Sequence, residues 1–244
     1  MKKISIIIAT FNAAKTLQRC LDSIANQKND DIEILIIDGA SSDCTIEIVK
    51  KNENLIDVFL SEKDRGIYDA WNKGIKRATG EWIVFLGADD VLMEQTIEKQ
   101  LQYINTHDTN HLDIISAKAH IVDKSGKLLR NFGDQYSRRK FVWCMNISHG
   151  STLHNRKLFN EVGLFDVNFK ICGDYELLMR KNLNADFIDD FFIIMQDGGM
   201  STTLKARKEA YWARRKNKVF PFWLCWILFQ REKWGYIVSR YRLK

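Results

Sequence analysis

The stretch Trp82-Ile83-Val84-Phe85-Leu86-Gly87-Ala88-Asp89-Asp90 sets five consecutive apolar residues ahead of two small residues and two adjacent carboxylates. A short, unbroken apolar run rich in β-branched and aromatic side chains fits a strand covered on both faces, because a strand with one wet face would alternate. Upstream the same plan recurs three times. Residues 4–9 lead into Thr10, Phe11 and Asn12; residues 34–37 into Asp38-Gly39-Ala40-Ser41-Ser42-Asp43; residues 58–60 into Glu62-Lys63-Asp64-Arg65-Gly66. Between these runs the apolar positions change to helical spacing: Leu17, Cys20, Leu21 and Ile24, then residues 45–51, then Ile67, Trp71, Ile75 and Ala78. A fourth helical stretch covers residues 95–106. Strands alternating with helices of this length predict βαβ units and an α/β fold, its mainly parallel sheet sandwiched by helices.

Beyond Leu112 the rhythm loosens. Residues 114–117 and 120–122 read as strands and 123–126 as a turn. Residues 158–162 and 174–184 read as helices, and 191–195 as a last apolar strand. The 244 residues are 45% apolar and 11% aromatic, which excludes disorder for most of the chain. One proline and thirteen glycines exclude collagen-like or Gly/Pro linker architecture. Five scattered cysteines without a CxxC predict neither a disulfide framework nor structural zinc, and fit a reducing cytosol. The apolar run after Met1-Lys2-Lys3 is too short for a signal peptide. The longest later run, residues 220–229, falls short of the about twenty residues of a spanning helix, so no transmembrane segment is expected.

In an open parallel sheet, ligands bind at the carboxyl ends of the strands. Four successive strand ends here carry polar or acidic loops. Like charges gathered there raise one another's pKa unless a divalent cation or a donor-rich ligand joins them. No GxGxxG follows the first strand and no GxxxxGK[ST] occurs, which removes the dinucleotide-binding and P-loop readings. What remains is a nucleotide site built on carboxylates and a metal. Four motifs in order, Ile6-Ile7-Ile8-Ala9-Thr10-Phe11-Asn12, Ile37-Asp38-Gly39-Ala40-Ser41-Ser42-Asp43, Asp64-Arg65-Gly66-Ile67-Tyr68-Asp69-Ala70-Trp71-Asn72-Lys73-Gly74 and residues 80–90, resemble the family 2 glycosyltransferases. The resemblance spans roughly residues 4–200. It implies a GT-A-type nucleotide-binding sandwich that moves a sugar from a nucleotide-sugar, foremost a UDP-sugar, to a hydroxyl of a saccharide acceptor, with inversion, in bacterial polysaccharide synthesis. Residues 1–203 would then be the catalytic domain, with 1–111 the nucleotide-binding half and 112–203 the acceptor side.

The resemblance assigns Asp38 to the donor base; the alternative is a turn or capping aspartate. Asp43 reads as the cap of the helix starting near Thr45. Phe11 would line the base pocket or join the core, and Thr10 and Asn12 would bond the nucleotide or close the turn. Asp64, beside a Gly66 that allows close backbone approach, and Asn72 on the next helix complete the donor candidates. Arg65 reads as solvated, and Asp69 with Lys73 as a surface ion pair. The family's metal motif is Asp-x-Asp. Gly87 stands for its first acid, Asp89 matches the retained one and Asp90 follows, so these two would hold Mg²⁺ or Mn²⁺ with phosphate oxygens; helix capping is the alternative. The acceptor hydroxyl needs a base. Asp174, in Gly173-Asp174-Tyr175-Glu176-Leu177, matches the family's base position, with Gly173 replacing an acid that often precedes it. His149 would contact acceptor or diphosphate, or be structural. Residues 198–201 read as a loop closing over the donor or as a simple turn. The glycines at 87 and 173 motivate a second hypothesis, a non-catalytic membrane-associated scaffold on a transferase fold.

Residues 205–244 hold twelve Lys and Arg against two acids, a net of +10, whereas residues 1–204 carry 25 bases and 29 acids. Four of the seven tryptophans, Trp212, Trp223, Trp226 and Trp234, lie in this basic end. Residues 204–244 thus read as a basic amphipathic helical tail on an anionic membrane surface, peripheral on the cytoplasmic face, where a polyprenyl-diphosphate-linked acceptor would be presented. Packing on the catalytic domain, or on a second subunit of a homo-oligomer, is the alternative. Nucleic acid is not an expected partner, since the acidic strand-end loops repel phosphate.

Overall fold

The computed structural model describes residues 2–241; Met1 and the last three residues of the predicted tail, 242–244, lie outside the described residues. β1 (Ile4–Thr10), α1 (Leu17–Ala25), β2 (Ile32–Asp38), α2 (Thr45–Lys51), β3 (Val58–Ser61), α3 (Ile67–Ile75) and β4 (Trp82–Gly87) alternate as the apolar pattern predicts. β1 pairs in parallel with β2 and β4, and β2 with β3. The register sets Thr10 opposite Asp38, Asp38 opposite Ser61, and Ala9 opposite Gly87, so four polar loops leave the sheet along one edge. On β1 the side chains alternate between two cores. Ile4, Ile6 and Ile8 join Leu17, Cys20, Leu21 and Ile24 of α1, while Ile7 meets Tyr68, Trp71 and Ile75 of α3 on the other face.

The remaining elements are β5 (Val91–Leu92), α4 (Thr96–Thr106), β6 (Ile114–Val122), β7 (Leu128–Phe132), α5 (Arg138–Phe141), β8 (Leu153–Asn155), α6 (Leu158–Val162), α7 (Gly173–Leu178) and β9 (Ala185–Gln196). The sheet runs β3-β2-β1-β4-β8-β6-β9-β5, with β7 beside β6. It is parallel through β4 and mixed beyond: β8 runs antiparallel to β4 and β6, β9 parallel to β6, and β5 antiparallel to β9. Beyond the short β5, α5 and β8 and an earlier start of β9, the structure differs from the sequence reading in these places. The runs at 114–117 and 120–122 are one strand, β6, which stays continuous through register shifts against β9 around Lys118. β7 was not expected, because four of its five residues face solvent and carry no apolar alternation. The helix expected over 174–184 ends at Leu178, since Asp113 draws Asn184 into the sheet: the Asn184 N–H donates to Asp113 Oδ2 at 2.8 Å and its carbonyl accepts from the Asp113 N–H at 2.8 Å.

The basic end forms α8 (Leu204–Lys216) and α9 (Phe222–Tyr241). α8 packs on α7 and buries Ala213 and Arg214. Arg214 donates to the carbonyl of Trp143 at 2.6 Å and pairs with Glu232 of α9 at 2.8 Å. Among the described residues, no helix is long and apolar enough to cross a membrane.

Candidate active site

Asp38 ends β2 with its side chain buried. It accepts hydrogen bonds from the hydroxyls of Thr10 (2.9 Å), Ser41 and Ser61 (2.7 Å) and from the Ser41 N–H (2.9 Å). Burial alone would raise its carboxyl, but these bonds outweigh it and hold the group below the usual carboxylate range. Asp38 therefore ties the ends of β1, β2 and β3 together, and Thr10 spends its hydroxyl on that tie. Asn12, at φ 50°, joins the first two loops: its N–H donates to Ser41 Oγ at 2.8 Å and its side-chain oxygen accepts the Ser42 N–H at 2.9 Å. Asp43 accepts the Thr45 N–H at 3.0 Å at the start of α2.

On this frame, Phe11 stands 66% exposed, an aromatic ring turned outward directly after a buried strand. A Cβ on Gly39 would come within 2.6 Å of Asp64 Oδ2 and 3.3 Å of the Phe11 ring, so only glycine fits between them. Asp64 is itself held by the Gly66 N–H at 2.8 Å, and Gly66 adopts φ 115°, a conformation that favours glycine. Flat ring, bare backbone and carboxylate thus form an open platform at the ends of β1 and β2. Asn72 does not join it. That side chain is buried, and its amide both donates to the carbonyl and accepts from the N–H of Phe165, each at 2.9 Å, so it clamps α3 to the 165 segment of the same core. Arg65 is exposed and pairs with Asp69 at 3.7 Å, whereas Lys73 reaches Glu62 at 3.0 Å rather than Asp69.

Past β4, Asp89 is exposed and Asp90 is buried. Asp90 accepts the Gly87 N–H at 2.9 Å, and burial, with the nearby Asp89 charge, pushes its carboxyl up to about 7. Of the two metal candidates, Asp90 is thus turned into the protein as the anchor of the turn. A Cβ at position 87 would stand 2.9 Å from both carboxylates, which is why the turn takes glycine there. Among the described residues, no three His, Cys, Asp or Glu side chains converge as a metal site. A single outward carboxylate does fit an ion of the Mg²⁺ type, which binds through one or two carboxylates plus substrate phosphates.

Asp174 opens α7 and lines a cavity of about 370 Å³ together with Arg207, Arg214, Tyr175 and residues 198–199. Burial raises its carboxyl to about 6, although the Tyr175 N–H (2.9 Å) and the Tyr68 hydroxyl (3.1 Å) stabilise the charged form. A Cβ on Gly173 would approach the Tyr68 ring to 2.8 Å, so a side chain there would displace the ring that sits beside Asp174. The segment before Asp174 is held from the tail. Glu209 of α8 accepts the N–H groups of Lys170 (3.0 Å), Ile171 (2.8 Å) and Cys172 (3.0 Å). From the other side, the Tyr68 hydroxyl shares its one proton between the Ile171 carbonyl at 2.7 Å and Asp174 Oδ1 at 3.1 Å. Tyr68 lies inside the quoted 64–74 motif, but nothing in its spacing marks it as the base's neighbour. Glu209 gives no local signal at all, being one acid in a basic helix.

His149 lies at the cavity's inner end, stacked with Trp71 at 5.1 Å and Phe85 at 5.3 Å. Burial drives its pKa down to about 3, and its Nε2 has no hydrogen-bond partner among the described residues. Burial thus favours its neutral form, between two aromatic rings.

The sequence profile of Glycosyl transferase family 2 matches residues 5–163. A PGL/p-HBAD biosynthesis glycosyltransferase of Mycobacterium tuberculosis is 31% identical over 214 residues, 82% of this chain and 79% of its own. An uncharacterized glycosyltransferase of Rickettsia typhi is 33% identical over 184 residues, 72% of this chain and 58% of its own. Among solved structures, S. aureus TarS 1-349 in complex with UDP-GlcNAc superposes with a TM-score of 0.72 at 21% identity, covering 93% of this chain and 70% of that one. The mannosyltransferase PcManGT from Pyrobaculum calidifontis, in complex with GDP-Man and Mn²⁺, gives a TM-score of 0.65 at 17% identity, covering 90% and 65%. With the strand-end motifs in their expected places on a sheet of this topology, the chain belongs to glycosyltransferase family 2 and has the GT-A-type fold.

Proposed function

We propose that this glycosyltransferase moves a sugar from a UDP-sugar to a hydroxyl of a saccharide acceptor, with inversion, in bacterial polysaccharide synthesis. The observation that carries the reading is Asp174: a half-buried carboxyl raised to about 6, on the wall of a cavity. Such a group is ionised at neutral pH yet basic enough to take a proton from a hydroxyl as it attacks. The acceptor oxygen bonds to the anomeric carbon, the bond from that carbon to the diphosphate breaks, and the hydroxyl proton passes to Asp174. One displacement inverts the centre.

The donor end is assigned on the platform. Phe11 offers a face for the base, with Asp64 beside it and the Asp38 network keeping the loops in register. TarS in complex with UDP-GlcNAc supports a UDP-sugar. Asp89 would hold Mg²⁺ or Mn²⁺ against the diphosphate, as the Mn²⁺ complex of PcManGT suggests for the fold. When bound, that ion offsets the charge growing on the departing nucleoside diphosphate. We take the acceptor to be lipid-linked, of the polyprenyl-diphosphate kind, and the protein to work at the cytoplasmic face, a reducing compartment that suits its five free thiols.

A panel of nucleotide-sugars tested by thermal shift with Mn²⁺, and again under chelator, checks the donor. A UDP-sugar should raise the melting temperature with Mn²⁺ and lose most of that effect without it. Equal shifts in both conditions would remove the ion, and no shift from any nucleotide-sugar would remove the donor reading.

A further inference from the structure

Helix α9 is packed on one side only. Cys225 and Leu228 are buried, Phe229 meets Tyr211 of α8 at 5.4 Å, and Glu232 pairs with Arg214. Its other side is exposed and mostly apolar, with Gln230 near its middle. At about 100° per residue, Phe222, Trp223, Trp226, Ile227, Trp234 and Val238 fall within one arc of roughly 160°. All six are exposed, the three indoles by 61% (Trp223), 51% (Trp226) and 67% (Trp234). An arc of this kind is costly in water.

Charge identifies what covers it. On the same projection Arg231 and Lys233 fall at the two margins of the arc, and at its start the Arg215 guanidinium lies over the Phe222 ring at 4.4 Å. Lys218, in the turn between the helices, is exposed. The acid of α9, Glu232, is spent on the buried Arg214. Self-association through this face would bring cationic margins together with no carboxylate to separate them. Indoles flanked by cations are instead what the boundary of an anionic bilayer accommodates, rings among the headgroups and cations against lipid phosphate. The cations of α8 divide differently: Arg214 is buried, and Lys216 pairs with Asp166 at 2.7 Å and Glu176 at 3.1 Å.

We infer that α9 lies in the plane of an anionic membrane surface, its 222–238 arc embedded and Lys218, Arg231 and Lys233 at headgroup level. Glu232 of α9, with Arg207 and Arg214 of α8, lines the cavity of Asp174. The helix that meets lipid on its outer side therefore forms part of the cavity wall on its inner side. This inference stands whether or not the chain transfers sugar.

The test is flotation of the full-length protein with mixed phosphatidylcholine–phosphatidylglycerol vesicles and with pure phosphatidylcholine vesicles. The wild type should float with the mixed vesicles, and about tenfold less with the neutral ones. A triple variant, Trp223→Ser with Trp226→Ser and Trp234→Ser, should lower the vesicle-bound fraction at least about tenfold with an unchanged melting temperature, because all three rings are exposed. Flotation of the triple variant equal to wild type would overturn the inference. So would failure of the wild type to float, or a two-chain species in sedimentation that the triple variant reduces to one chain without any vesicle binding.

Discussion

At Asp174, two opposing effects meet on one carboxyl. Burial disfavours its charge, the Tyr68 hydroxyl and Tyr175 N–H favour it, and burial wins, leaving the group near 6. The base must be unprotonated to act, so transfer should fall as pH drops through 6, approaching about tenfold per unit below it. Tyr68→Phe removes one bond to the charged form and should move that limb to higher pH, by up to about one unit; a pH–rate profile of the variant reads it. Gly173→Ala would drive a methyl into the Tyr68 ring, a clash costing about 1–3 kcal/mol, visible as a lower melting temperature. At the donor edge, Phe11→Ala should weaken nucleotide-sugar binding about tenfold while stability holds, because the ring is mostly exposed. Titration calorimetry beside a melting curve separates the two. How much a residue's role was legible depended on where its partner sits in sequence. Asp38 stood out by its position at the end of β2, and its carboxylate ties the ends of three strands. Asn72 lay within a motif, yet its amide serves Phe165, 93 residues away.

Among the elements, α8 of the tail packs on α7 and holds the segment that leads into Asp174. Glu209 gathers three successive N–H groups ahead of α7, and its charge also raises the Asp174 carboxyl. Glu209→Ala should reduce kcat by up to about a hundredfold with the donor KM nearly unchanged, since small displacements of a catalytic group are that costly. Glu209→Gln, which keeps the shape and removes the charge, should restore part of the rate and move the acidic limb to lower pH. Elements with a single strong period were readable: the four apolar positions of α1 are its four buried ones. β7 was not, because an exposed edge strand has no apolar face to declare it. The end of α7 was not either, since a pull from Asp113 on Asn184 outweighs local helical preference.

For the whole molecule, the sheet edge is the organising feature. Parallel strands in matched register deliver their loops to one place, and the fold class followed from short apolar runs alone. The mixed far half was less legible, because its strands pair across long intervals and β6 bends through register shifts. If donor and ion bind together to the folded state, Mn²⁺ with saturating UDP-sugar should stabilise it by about 2.7 kcal/mol at a hundred times Kd, and Asp89→Ala should lose most of that gain. If one carboxylate drives a single displacement, the product's anomeric centre is inverted. The most direct measurement is the anomeric configuration of the product, by NMR, from an α-linked UDP-sugar with wild type and Asp174→Asn. A β-linked product from wild type, and none from a variant that still binds donor, is the predicted result; an α-linked product, or normal turnover by Asp174→Asn, would contradict it.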